Sequence, residues 1–126
     1  MFDLLKTAER SAAGLEQHSI NVNGLRIEYL EGGKGDALVL LHGFGANKDN
    51  WTRFGKHLTS HFRVIAPDLP GFGESSLAPD GDYTIHVQAE RIKGFIQALG
   101  IKSLHLGGNS MGGNILYLRG LRMVLT

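Results

Sequence analysis

"LHLGGNSMGGNILYL", residues 104 to 118, decides how this chain is read. Its opening residues are largely apolar and run into glycine, as a buried strand does, and the residues after Met111 have helical character. Between them sits Ser110, with Gly108 two positions before it and Gly112 two positions after. A turn from strand directly into helix is too sharp for relaxed backbone angles at its apex. Glycines on either side avoid clashes with neighbouring chain and leave the serine hydroxyl exposed above the sheet. The serine also stands at a helix N-terminus, where unpaired N–H groups and the helix dipole favour negative charge. A glycine-rich turn with an incidental serine would give the same five residues. The strand–turn–helix setting is what makes Ser110 a candidate nucleophile.

Working outward, the chain alternates strands and helices. "ALVLLHG" (37–43) and "FRVIAPD" (62–68) are continuous apolar runs, the pattern of parallel strands buried on both faces. Between them, residues 47–59 read as a helix with Trp51, Phe54 and Leu58 on one side. A polar loop with Gly and Pro spans 69–83. "TIHVQAERIKGFIQALG" then places Val87, Ile92, Phe95, Ile96 and Leu99 near helical spacing, with Gly100 as the C-cap. "KSLHLGG" (102–108) is the third such strand. Ahead of these, "HSINVNGLRIEYLEG" is two strands around Asn23-Gly24, a strong hairpin signal. Residues 2–16 read as a short amphipathic helix with Leu5, Ala8, Ala12 and Leu15 on its apolar face. This divides the chain into an N-terminal helix, 1–17, and an α/β domain, 18–126.

Composition narrows the function classes. The 126 residues carry 13 Lys and Arg against 12 Asp and Glu, and the basic residues are unclustered, so nothing points to a nucleic-acid partner. With no cysteine, disulfides, a thiol nucleophile and thiolate metal sites are excluded. That usage fits a cytoplasmic protein. The N-terminus, with an acid at position 3, is no signal peptide, and no stretch approaches the length of a membrane span. Peripheral membrane association through the first helix is the sharper alternative; its face is mostly alanine and its polar side lacks a basic cluster. The sequence contains neither G-x-x-x-x-G-K-[ST] nor G-x-G-x-x-G. His57 and His61 are four apart but lack the glutamate of H-E-x-x-H, and read as surface residues rather than metal ligands. No metal and no cofactor is expected.

In a parallel sheet, ligands bind beyond the carboxyl ends of the strands. Three glycine-bearing loops start there: "HGFGANKDNW" from His42, "DLPGFGES" from Asp68 and "GGNSMGG" from Gly107. Taken with "YTIHVQAERIKGFIQALG", these motifs resemble the N-terminal half of an α/β-hydrolase, most closely the monoacylglycerol-lipase and esterase branch. The resemblance covers residues 18 to about 115. It implies a partial α/β-hydrolase fold: a mostly parallel sheet with an N-terminal antiparallel hairpin, flanking helices, and an end just after the nucleophile-elbow helix. It further implies Ser110 as the nucleophile, an oxyanion hole from the backbone N–H groups of Phe44 and Met111, elbow glycines Gly108 and Gly112, and a small-molecule carboxylic ester as substrate. The resemblance implies a reaction that passes through an acyl-enzyme.

The family's triad runs Ser, then Asp or Glu, then His. Residues 111–126, "MGGNILYLRGLRMVLT", contain no His, Asp or Glu, and "LYLRGLRMVLT" departs from the family pattern. The expectation is a hydrolase cut short and inactive alone, or a non-catalytic remnant or half-domain that needs a complementary chain. His42 and Asp68 would give a His, Asp, Ser order with Ser110, but triads are defined by geometry. The resemblance instead gives His42 the shaping of the oxyanion turn and Asp68 the anchoring of the next loop. Glu74 and Ser75 are expected to hold that loop, His105 to be a core or sheet-face residue, and His18 and His86 to lie on the surface. A sheet ending at 102–108 would leave an open edge and favour self-association.

Overall fold

The computed structural model describes residues 2–42 and 47–108. Within them the order is α1 (Phe2–Ala12), β1 (Glu16–Val22), β2 (Leu25–Gly32), β3 (Asp36–Leu41), a 3-10 turn (Lys48–Trp51), α2 (Thr52–Leu58), β4 (Phe62–Pro67), α3 (Ile85–Ala98) and β5 (Leu104–Gly108). The five described strands form one mixed sheet in the order β1-β2-β4-β3-β5. The β4-β3-β5 part is parallel, and the hairpin joins it antiparallel through β2 and β4. The hairpin turn is type I′: Asn23 and Gly24 have φ of 51° and 85°, and Asn21 Oδ1 accepts from the Gly24 N–H at 3.1 Å. The elbow helix expected after Ser110 lies outside the described residues.

The apolar runs in β3 and β4 are continuous because both faces of the sheet are covered. Side chains alternate across a strand. Val39, Leu41 and Ile65 pack with Ala89, Ile92, Phe95 and Ile96 of α3, together with Ile27, Tyr29 and Leu106. Leu38, Leu40, Val64 and Ala66 face the other way, onto Ala13, Leu15 and Leu30, with Leu58 of α2 against them. On α3, Gln88 is buried where Val87 was expected. Its Nε2 donates to the Pro70 carbonyl at 2.9 Å, satisfying the amide inside the core. Gly100 closes α3 as expected, with φ of 73° and its N–H bonded to Gln97 O.

The first helix differs from its sequence reading. It ends at Ala12, because Gly14 takes φ of 79° and makes a Schellman cap: the Leu15 N–H bonds to Arg10 O at 2.7 Å and the Gly14 N–H to Ser11 O at 2.9 Å. Leu15 thereby leaves the helix and enters the core at 1% exposure, while Leu4 and Leu5 are exposed. Ala8 and Ala12 are exposed too, so the expected apolar face of Leu5, Ala8, Ala12 and Leu15 does not form. Among the described side chains of α1 the buried one is Arg10, at 7% exposure. Among the described residues no helix is long and apolar enough to cross a membrane.

Candidate active site

The parallel register brings three strand ends level. Val39 pairs with Ile65 across β3 and β4, and Leu41 pairs with Gly108 across β3 and β5. The carboxyl ends of β3, β4 and β5 therefore lie along one edge, where His42 and Asp68 leave the sheet. Gly108 is the buried last residue of β5. Ser110, Met111, Gly112 and Phe44 lie outside the described residues, so the described part of the site is its scaffold at the ends of β3 and β4.

That scaffold is an internally satisfied polar cluster. His42 is fully buried. Its Nε2 accepts from the Leu69 N–H at 2.9 Å, and its ring meets Phe72 edge-on with centroids 5.5 Å apart. This ties the end of β3 to the loop after β4. Asp68 is fully buried as well. Its Oδ1 accepts from the Lys48 N–H at 2.7 Å, and its Oδ2 from Lys48 Nζ at 2.6 Å and the Glu74 N–H at 2.9 Å. Ser75 Oγ donates to the Asp68 carbonyl at 2.7 Å and accepts from the Glu28 N–H at 2.9 Å. Both residues thus hold backbone. The Nε2 lone pair of His42 is spent on Leu69 and the carboxylate of Asp68 on Lys48 and Glu74, so neither is poised as a base or triad acid. Glu74 and Ser75 hold the loop as expected.

Glycine is required inside this loop. A Cβ on Gly73, which has φ of 52°, would sit 2.4 Å from the Asp68 carboxylate, and one on Gly71 would sit 2.3 Å from the Tyr83 ring. The "PGFGES" glycines therefore allow the chain to wrap tightly around a buried acid.

Lys48 and Arg10 are the residues that sequence reasoning missed. Lys48 reads as part of a polar helix start, yet it is 1% exposed, with Nζ between Asp68 and Glu74 Oε1 at 2.9 Å. Arg10 forks onto Asp49 through Nε and Nη2, both at 2.8 Å, and donates from Nη1 to Gln17 Oε1 at 2.6 Å. The paired charges shift titrations. Burial alone would push the Asp49 carboxyl up, but the hydrogen bonds and charge of Arg10 hold it below its ordinary range. The hydrogen bond from Lys48 lowers the Glu74 carboxyl against its partial desolvation. The only sequence signal for the cluster was the polar run "NKDN" placed directly after a strand-end glycine loop.

The remaining histidines are peripheral. His57, His61, His18 and His86 are exposed, and His18 stacks on Tyr29 at 5.5 Å. His105 lies half-buried on β5, edge-on to Phe62 with centroids 6.3 Å apart. Among the described residues, no group of three or more His, Asp or Glu side chains is arranged to hold a metal ion.

Comparison with known proteins agrees with this architecture. A family model described as "alpha/beta hydrolase fold" matches residues 36–118. Lipase 1 of Psychrobacter immobilis is 45% identical over 111 residues, covering 85% of this chain and 35% of its own length. A 2-hydroxy-6-oxo-6-phenylhexa-2,4-dienoate hydrolase of Burkholderia cepacia is 39% identical over 102 residues, 75% of this chain and 36% of that relative. Among solved structures, a membrane phospholipase A described as a bacterial virulence factor superposes with a TM-score of 0.91 at 47% identity, over 98% of this chain and 42% of that one. The chain spans about a third of the length of these curated relatives. The buried strand-end cluster, the mixed sheet and the family match lead to one conclusion: the chain belongs to the alpha/beta hydrolase fold family.

Proposed function

We propose that this polypeptide carries the nucleophile half of a lipase- or esterase-type serine hydrolase acting on carboxylic esters. The observation that carries the reading is the position of "GNSMG" in the sequence, which begins at the carboxyl end of β5, level with the ends of β3 and β4. In this reading Ser110 Oγ attacks the ester carbonyl. The N–H groups of Phe44 and Met111 bind the oxyanion, and the alcohol leaves to give an acyl-enzyme that water cleaves. No cofactor takes part. The similarity to lipases supports ester chemistry over the other reactions of the family. The lack of cysteine supports a cytoplasmic location.

Residues 111–126 contribute no acid and no histidine, and His42 and Asp68 are committed to backbone. In this reading the base for Ser110 is supplied from outside these 126 residues, and the 126-residue polypeptide on its own does not turn over. An oxyanion hole without a triad still gives about 10³-fold catalysis over water. The test is reaction with a fluorophosphonate at mildly alkaline pH, read by peptide mass spectrometry, beside steady-state hydrolysis of p-nitrophenyl butyrate. Adduct formation at Ser110, far faster than at the exposed Ser60 and Ser103 and without steady turnover, is the expected result. Labelling of Ser110 no faster than of those serines would remove it as the nucleophile. Sustained hydrolysis lost in Ser110→Ala would overturn the dependence on outside residues.

A further inference from the structure

We infer that the N-terminal helix is a positioning element for the active-site edge of the sheet, acting through a two-sided ionic clamp on residues 47–49. The inference rests on the reading of that edge as the catalytic one. Three observations carry it. On the inner side, Lys48 is gripped by the strand-end loop of β4: its N–H and Nζ both bond to Asp68, and Nζ also reaches Glu74. On the outer side, the neighbouring Asp49 is gripped by Arg10 of α1 in a bidentate fork. The two halves share partners. Glu74 Oε1 lies 2.9 Å from Lys48 Nζ and 3.6 Å from Arg10 Nη2, and Gln17 accepts from Arg10 while donating to Glu28 and Glu74.

Residues 4–9 of α1 are exposed, and among the described side chains of the helix Arg10 is the buried one. A solvated helix has no packing reason to bury a guanidinium. The planar fork matches a carboxylate in two hydrogen bonds, which fixes orientation as well as distance. The short stretch from Asn47 to Asp49 is thus held by a carboxylate on one side and a guanidinium on the other. Asn47 Oδ1 also accepts from the Asp49 N–H at 2.9 Å, capping the 3-10 turn that carries both clamped residues. Helix docking and the placement of residues 47–49 against the loop after β4 become one equilibrium. A partner or condition that lifts α1 would loosen the site without touching it.

The test is residue-resolved amide hydrogen exchange on the 126-residue chain, comparing wild type, Arg10→Met and the gentler Asp49→Asn. Arg63→Met, which removes the separate Arg63–Glu31 pair, serves as control. The Lys48 and Glu74 amides bond to Asp68, and neither bonds to Arg10. In both clamp variants their exchange is expected to accelerate about tenfold more than that of Val39 and Ile65 in the sheet. The control should leave the ratio unchanged. Wild-type exchange at Lys48 and Glu74, or an acceleration shared equally by Val39 and Ile65, would overturn the clamp and leave Arg10 a general stabiliser. Fluorophosphonate labelling of Ser110 in the same proteins keeps the two readings apart. Selective exchange without preferential Ser110 labelling retains the clamp and retires the esterase.

Discussion

Replacing Lys48 by methionine tests the buried cluster most directly. The substitution keeps the aliphatic stem, which is buried, and deletes the ammonium that lies 2.6 Å from Asp68 Oδ2. Asp68 is fully buried and cannot recruit bulk water. Removing one member of a buried ion pair leaves an uncompensated charge and costs about 3–5 kcal/mol. Asp68 retains two N–H donors, from Lys48 at 2.7 Å and Glu74 at 2.9 Å, which places the expected loss near the lower end, about 3 kcal/mol. The assay is urea unfolding in dilute solution, followed by circular dichroism. The double variant Lys48→Met, Asp68→Asn removes the stranded charge while keeping an acceptor for the Lys48 N–H. It should regain at least half of the loss, a coupling that a double-mutant cycle reads directly. A single variant within about 0.5 kcal/mol of wild type, or a double variant whose losses simply add, would refute the reasoning.

Three further outcomes are expected. The Asp49 and Glu74 carboxyls titrate below their ordinary ranges when folded, so the unfolded chain takes up protons first on acidification. Their contribution to stability is complete above about pH 4.5, the ordinary glutamate value, and falls away below it. Urea midpoints between pH 6 and pH 3 should show a smaller acid loss in Arg10→Met than in wild type, and equal losses would contradict the assignment. Gly73→Ala meets both a left-handed backbone and the Asp68 carboxylate, and should cost at least about 2 kcal/mol. Gly24→Ala, with φ of 85° and open space around it, should cost about 1 kcal/mol; the reverse order would show that the Asp68 contact is not limiting. Among the described residues β5 pairs with β3 alone, and we propose that the 126-residue polypeptide in isolation associates through that side. Light scattering should report oligomers, whereas a stable monomer with protected Leu104–Gly108 amides would rule this out.

The order of elements was legible because each carries its own periodicity. Continuous apolar runs marked β3 and β4 as covered on both faces, and Asn23-Gly24 marked the hairpin. The spacing from Ile92 to Ile96 marked the α3 face, and glycine after a strand marked the edge where loops gather. All of these are local properties of a few neighbouring residues, and so was the family resemblance they carried. Tertiary structure decided the rest. Nothing near Arg10 says that it will be buried, since its partner Asp49 is 39 residues away, and Lys48 reads as solvated until Asp68 meets it from 20 residues on. Leu15 was read on a helix face, but Gly14 turned it into the core. Periodicity reports which residues avoid water. A charged side chain is buried only where folding brings its counter-charge from a distant segment, and that coincidence exists in three dimensions alone.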